Sequence, residues 1–249
     1  MTEATHTHDW RGMGSPLVSV VMPCHTEKYL VEAVQSILDQ TYPNFELIAI
    51  CDPDNMDIVR ALHGFKDRRI KAVDTQFKVN VSDKMNLARA LTRGKYVARM
   101  DSDDLAHPDR LEKQVAFLDA HPDIGVVGTQ MEYVNEDGTH KEWLRLPTSF
   151  PHILWALPRY NPIANPAVMM RAEIFRELWH DPAITTVEDY DYWVRAARLT
   201  KIENLPDYLH KYRIHPANTS KNNDERNHWV PAIQEKAKGI FWERLGGCV

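Results

Sequence analysis

Residues 98–110 read ARMDSDDLAHPDR, and Asp101, Asp103 and Asp104 place three carboxylates within four positions. Like charges repel, so a chain that concentrates them needs something to offset the charge. A divalent cation does so: hard cations take carboxylate oxygens, and magnesium is usually shared between one or two carboxylates and substrate phosphates. A solvated acidic turn that caps the following helix is the equal alternative on these residues alone. Other cofactor chemistry has less support. The chain contains neither G-x-G-x-x-G nor G-x-x-x-x-G-K-[ST], the glycine loops that cradle dinucleotides and nucleoside triphosphates. Phosphate charge must then be met by a metal and by cationic side chains. His6 and His8 lie in a polar stretch that reads as a tail. Cys24, Cys51 and Cys248 are far apart and odd in number, which fits neither a disulfide framework nor a zinc site. No histidine is placed by sequence to activate Cys24 or Cys51, so both read as packing residues.

The elements around the acids share a pattern. Residues 16–23 (PLVSVVMP) form a β-branched run closed by proline, a buried strand. Leu30, Val34, Ile37 and Leu38 recur at helical spacing, residues 45–50 read as a second strand, and 55–65 as a helix ending near Gly64. A third strand at 69–73 precedes a helix over 82–94, with Ser82 as N-cap and Gly94 as stop. Residues 95–100 make a fourth strand, and the acids follow it directly. Pro108 suits the first turn of the next helix, where its missing N–H is no loss, and Leu111, Val115 and Leu118 mark the buried stripe. Residues 124–134 return to strand character, and Asp137-Gly138 signals a hairpin turn.

Strand and helix alternate for about 130 residues, which predicts a Rossmann-like, mostly parallel central sheet with helices on both faces. In such sheets ligands sit outside the carboxyl ends of the strands. Asp101 to Asp104, Pro23 to Glu27, and Asp52 with Asp54 all fall at such ends. Residues 151–171 are rich in proline and aromatics and read as an antiparallel or loop region beside the rim. Residues 185–199 read as a helix with acids first and arginines later, as the helix dipole favours; Tyr192 and Trp193 on it read as core. Val230, Ile233, Ile240 and Phe241 mark a terminal helix, packed on the domain rather than on a membrane. The simplest division is a mobile tail over 1–15, one domain over 16–220 and a helical extension over 221–249.

Bulk properties exclude several classes. A net charge of −5 over 249 residues is not the basic face of a nucleic-acid binder. No apolar run approaches the roughly 20 residues that span a bilayer, and residues 1–16 lack a secretory h-region. A reducing cytoplasm is the expected compartment. Oligomeric state is not encoded in any of these features.

Four fragments in order, VSVVMPCHTEKYLVEAVQSILDQTYPNFELIAICD, KMNLARALTRGKYVARMDSDDLAHPDRLEKQVAFL, VEDYDYWVRAA and YRIHPANTS, resemble a family 2 glycosyltransferase of the GT-A fold over about residues 16–220. The resemblance implies that Asp101-Ser102-Asp103 is the D-x-D motif. Asp103 would then ligate Mn2+ or Mg2+ on the sugar-nucleotide diphosphate, with Asp101 in the ribose or metal shell. It implies that Asp52 contacts the nucleobase and that Pro23, His25 and Glu27 belong to the first nucleotide loop. Lys84, Ser102 and Glu188 join the nucleotide-sugar set. Asp189, second of the Glu188-Asp189 pair, is the implied general base, and His215 approaches the metal or diphosphate. The implied reaction moves a hexosyl or N-acetylhexosaminyl group, with inversion, from a nucleotide-diphosphate sugar to a hydroxyl of a glycan or lipid-linked glycan. A lipid-linked acceptor would suit peripheral attachment to the inner face of a membrane.

Three departures stand out. The second strand usually ends DDGS in the family and here reads CDPD, with Cys51 for the first acid and Pro53 for the glycine. The loop before the third helix lacks its glycine, and Asn165 stands where relatives often carry histidine. The CDPD change motivates the alternative of a catalytically inactive nucleotide-sugar-binding protein. A phosphatase or nucleotidyltransferase is disfavoured, because the acids do not follow the first strand and no glycine- and arginine-rich loop follows it.

Overall fold

The computed structural model describes residues 14–25, 28–218 and 223–245. Most of the expected N-terminal tail, with His6 and His8, lies outside them, as do Glu27 and Cys248.

Five strands and four helices come first. They are β1 (Val18–Pro23), α1 (Leu30–Leu38), β2 (Phe45–Cys51), α2 (Met56–Gly64), β3 (Ile70–Asp74), α3 (Val81–Leu91), β4 (Tyr96–Arg99), the two-residue β5 (Leu105–Ala106) and α4 (Arg110–Ala120). The second half adds β6 (Ile124–Val134), β7 (His140–Leu144), α5 (Phe150–Ala156), β8 (Met169–Arg171), α6 (Ala172–Glu177), α7 (Glu188–Leu199), β9 (Lys201–Arg213) and α8 (Asn223–Arg244). Among the described residues they build one nine-stranded sheet in the order β3-β2-β1-β4-β8-β6-β9-β5, with β7 on β6. The first four of that order are mutually parallel. β8 then enters antiparallel between β4 and β6, and β6 runs parallel to β9.

The alternation of the strands explains the helices on both faces. Val18, Val20 and Met22 pack with α1, α2 and α4, while Val21, Ile48, Ile50 and Val97 face α3, α5, α7 and α8. Tyr192 and Trp193 are fully enclosed, as expected of core residues, and Ile233 and Ile240 of α8 are buried against the domain. No helix among the described residues is long and apolar enough to cross a membrane.

Several local expectations change. α3 is capped by Asn80, whose side chain accepts from the Asp83 N–H at 2.9 Å; Ser82 lies inside the helix and is buried. Gly94 is no helix stop, since α3 ends at Leu91. A Cβ there would stand 2.6–2.7 Å from Tyr96 O, Leu17 O and Ser19 N, so Gly94 permits β1 and β4 to close up. α4 begins at Arg110, two residues after Pro108. Gly138 does turn the β6–β7 hairpin, with φ at +82°. Residues 150–156 form a helix, and β8 lies within the sheet rather than beside the rim.

Candidate active site

The parallel strands all present their carboxyl ends to one rim, and β1 is the point where the chain order reverses, with β2 on one side and β4 on the other. That crevice is where open α/β sheets bind ligands. The Asp101–Asp104 turn leaves β4 there, and the three acids have three environments. Asp101 accepts from Arg99 Nη2 at 2.9 Å and Nε at 3.3 Å. Asp103 Oδ2 lies 2.9 Å from His215 Nε2. Asp104 is enclosed: Oδ1 accepts from the Arg213 N–H at 2.9 Å and Oδ2 meets His210 Nε2 at 2.8 Å. Arg110 has only donors, so its 3.3 Å contact makes His210 Nδ1 an acceptor and leaves Nε2–H to donate to Asp104. Asp104 is therefore a fastener between this turn and β9, not a cation ligand. The charge that looked uncompensated in the sequence is met from inside, by the buried guanidiniums of Arg99, Arg110 and Arg213.

Asp103 remains available. Burial, then the nearby charge of Asp101, raises its pKa above the usual carboxylate range. A cation would relieve that repulsion. Carboxylate oxygens with one imidazole suit Mn2+ or Mg2+, which keep positions for substrate phosphate. Among the described residues there is no cluster of three or more His, Cys, Asp or Glu that would hold a metal unaided. Asp103 and His215 stand together on the rim, two donors that could hold a cation only with oxygens supplied by a substrate.

On the nucleotide side, Pro23 closes β1 and His25 follows it, exposed, its N–H donating to Ser102 Oγ at 3.3 Å. Asp52 follows β2. The Lys84 ammonium donates to Asp52 Oδ2 at 2.9 Å and to Cys24 O at 2.8 Å, and Asp52 Oδ1 accepts from the Val79 N–H at 3.3 Å. Lys84 is fully enclosed. In this arrangement it reaches the rim only through Asp52, which it ties to the β1 loop. The CDPD change leaves Asp52 in place, because Cys51 is a buried end-of-strand residue and the altered positions do not carry the Asp52 contacts.

A second pair of acids comes from α7. Asp189 Oδ1 accepts from the Tyr190 N–H at 2.7 Å, and Oδ2 accepts from Asn161 Nδ2 at 3.0 Å. Burial raises the Asp189 pKa above the ordinary range, while the Tyr190 N–H and the Arg99 charge pull it back. Glu188 is pushed further, to about 8, by burial and then by Asp189. Burial penalises the Arg99 charge, but Asp101, Glu188 and Asp189 together hold its pKa above normal. Its Nη1 is buried without a hydrogen-bond partner. One guanidinium therefore serves both the acids after β4 and those opening α7.

The sequence model of glycosyl transferase family 2 matches residues 19–179. The chain belongs to that family. A Haemophilus influenzae protein described as an uncharacterized glycosyltransferase is 32% identical over 93% of this chain and 76% of its own length. The Escherichia coli O-antigen biosynthesis glycosyltransferase WbnJ is 33% identical over 83% of each chain. Among solved structures, Staphylococcus aureus TarS 1-349 in complex with UDP-GlcNAc superposes with a TM-score of 0.70 at 18% identity, over 92% of this chain and 71% of that one. The Pyrobaculum calidifontis mannosyltransferase PcManGT, in complex with GDP-Man and Mn2+, gives 0.63 at 14%, over 94% and 76%. The fold is GT-A, and the protein is a glycosyltransferase.

In this family 2 glycosyltransferase the expected rim residues Pro23, His25, Asp52, Ser102, Asp101 and Asp103 stand at neighbouring strand ends, and His215 meets Asp103 from the end of β9. Glu188 and Asp189 reach the same rim through Arg99. The sequence pass overlooked Arg99, Asn161 and Arg213. Arg99 had a signal, a charge inside an otherwise apolar strand beside acids. Asn161 had none, because its partner lies 28 residues away.

Proposed function

We propose that the chain is a metal-dependent inverting glycosyltransferase moving a hexosyl or N-acetylhexosaminyl group to a hydroxyl of a glycan or lipid-linked glycan. The observation that carries this is the Asp103–His215 pair at 2.9 Å on the rim, with Asp101 and Asp189 both within the field of Arg99. Asp103, His215 and Asp101 would hold Mn2+ or Mg2+, which when bound neutralises charge on the departing diphosphate. Asp52, His25 and Ser102 would bind the nucleoside end, with Pro23 opening the same loop and Lys84 holding Asp52.

Asp189 is the base. It takes the proton from the acceptor hydroxyl as that oxygen attacks C1. The C1–O bond on the opposite face breaks, its electron pair leaves with the diphosphate, and the anomeric configuration inverts. A carboxylate whose pKa is raised above the ordinary range is, once ionised, a better proton acceptor than a free one. Glu188, with its higher pKa, suits a protonated neighbour that donates to a substrate oxygen. The relative named for O-antigen biosynthesis favours a glycan acceptor. The unit would comprise residues 16–220, with 221–249 as an extension on α7.

Calorimetric titration of UDP, GDP, CDP and dTDP, with and without Mn2+, tests the donor site. Metal-dependent binding of one nucleotide, lost in Asp103→Ala, is expected. Equal binding in that variant would remove Asp103 from the metal site.

A further inference from the structure

Outside the rim, beside the first turn of α7, lies a cavity of about 530 Å3, within the roughly 300–1,000 Å3 of small-molecule sites. Its walls are α3, residues 179–182, α7 and Lys236 of α8. They are fixed by hydrogen bonds. Asn86 Nδ2 donates to His180 O at 2.8 Å and Asn86 Oδ1 accepts from the His180 N–H at 2.9 Å. The His180 ring stacks on Tyr192 with centroids 4.2 Å apart, and its buried Nδ1 has no partner. Asp191 holds Arg195 at 2.7 Å and Lys236 at 2.5 Å, and Arg195 Nη2 donates to Trp179 O at 2.7 Å.

Trp179 is the distinctive member. Its side chain lines the cavity and is 60% exposed. The Arg89 guanidinium covers one face of the indole at 3.9 Å, so a ring that stacks on Trp179 must use the opposite face. Around it stand the carboxylates of Asp83 and Asp181 and the amide of Asn86. An anion does not suit this lining: the two cations Arg195 and Lys236 share the Asp191 carboxylate, and with Asp83 and Asp181 the acids outnumber them three to two. A hydrocarbon does not suit it either. A neutral, hydroxyl-rich molecule with an apolar ring face does, since its hydroxyls donate to carboxylates and its C–H face lies on the indole.

We propose that this cavity binds saccharide, with a sugar ring stacked on the free face of Trp179. Resting on the family 2 reading, the ligand is the part of the acceptor glycan remote from the reacting hydroxyl. The cavity is placed for this by its elements: α3 and α7 both begin at the rim, and Asp83 and Asp191 line it from their first turns.

The test is saturation-transfer NMR on the full chain with cellotetraose, chitotetraose and mannotetraose, using wild type, Trp179→Ala, Trp179→Phe and Asp83→Asn. At least one tetrasaccharide should bind, about tenfold more weakly to Trp179→Ala, the factor that 1.4 kcal/mol represents. Trp179→Phe should recover part of the loss. Thermal midpoint and Mn2+-dependent nucleotide binding should match wild type in the Trp179 variants. No binding of any tetrasaccharide to wild type, equal binding to Trp179→Ala, or displacement by inorganic phosphate would overturn the proposal. Should nucleotide binding fail in wild type, the donor-site reading falls, and the Trp179 comparison still decides the cavity.

Discussion

Asp103 and Asp104 are adjacent in the chain and do opposite work. Asp104 is sealed under the turn and joins it to β9 through His210 and the Arg213 backbone. Asp103 faces the rim and is destabilised by burial and by Asp101. Asp104→Ala should therefore lower folding stability by about 3 kcal/mol, the usual cost of stranding one partner of a buried pair. Asp103→Ala should leave stability unchanged or slightly raised while abolishing metal-dependent nucleotide binding; denaturant titration of both variants separates the two roles. Asn161 makes a sharper case for catalysis. Its donated hydrogen bond favours the ionised form of Asp189. In Asn161→Ala that support is lost, so the Asp189 pKa rises further and more of the base is protonated at a given pH. The acidic limb of the kcat–pH profile should move to higher pH. kcat should fall by about 10- to 100-fold, as expected for losing a hydrogen bond to a charged group worth roughly 1.5–3 kcal/mol. An unshifted profile would make Asn161 a purely structural residue.

Among the elements, those with a clean hydrophobic period were legible and those defined by their neighbours were not. β1, β2, β4, α1 and α4 follow from alternating or helical apolar spacing, and their observed bounds differ from expectation by a residue or two. β8 is three residues long and exists because β4 and β6 supply its partners. β9 runs 13 residues with register shifts against β6, and its polar residues sit where the Asp101–Asp104 turn needs them. Neither has a local pattern strong enough to announce it. Gly94 shows the same limit at one position. Its spacing suggests a helix stop, yet its function is to let β1 and β4 backbones approach. Gly94→Ala would press a methyl on three backbone atoms that cannot yield. We expect a loss of about 2–4 kcal/mol, read as a fall of roughly 5–10 °C in Tm, without change in the nucleotide selected.

Across the whole molecule, charge is handled at both ends of the sheet. At the end opposite the rim, burial opposes the ionisation of Glu46. Lys71, Ser19 and Arg93 overcome it and hold the carboxyl down to about 2. A depressed folded pKa contributes stability that is present above the unfolded value, near 4.5, and is lost as pH falls toward 2. Glu46→Gln should cost about 2 kcal/mol at neutral pH, allowing for its partly exposed partners, and should flatten the stability–pH curve between about 4.5 and 2. Urea denaturation across that range checks it. By itself the sequence determined the α/β class with helices on both faces of the sheet, the rim at the strand ends and the acids that stand on it, because short-range periodicity and motif order carry that information. Only the tertiary structure decided that Asp104 is a fastener, that Lys84 acts through Asp52, that Asn161 meets Asp189, and that α3, α7 and α8 enclose a cavity beside Trp179. Each of these depends on contacts between residues 28 to 106 positions apart in the chain, and burial and pairing at such separations are set by packing rather than by local spacing.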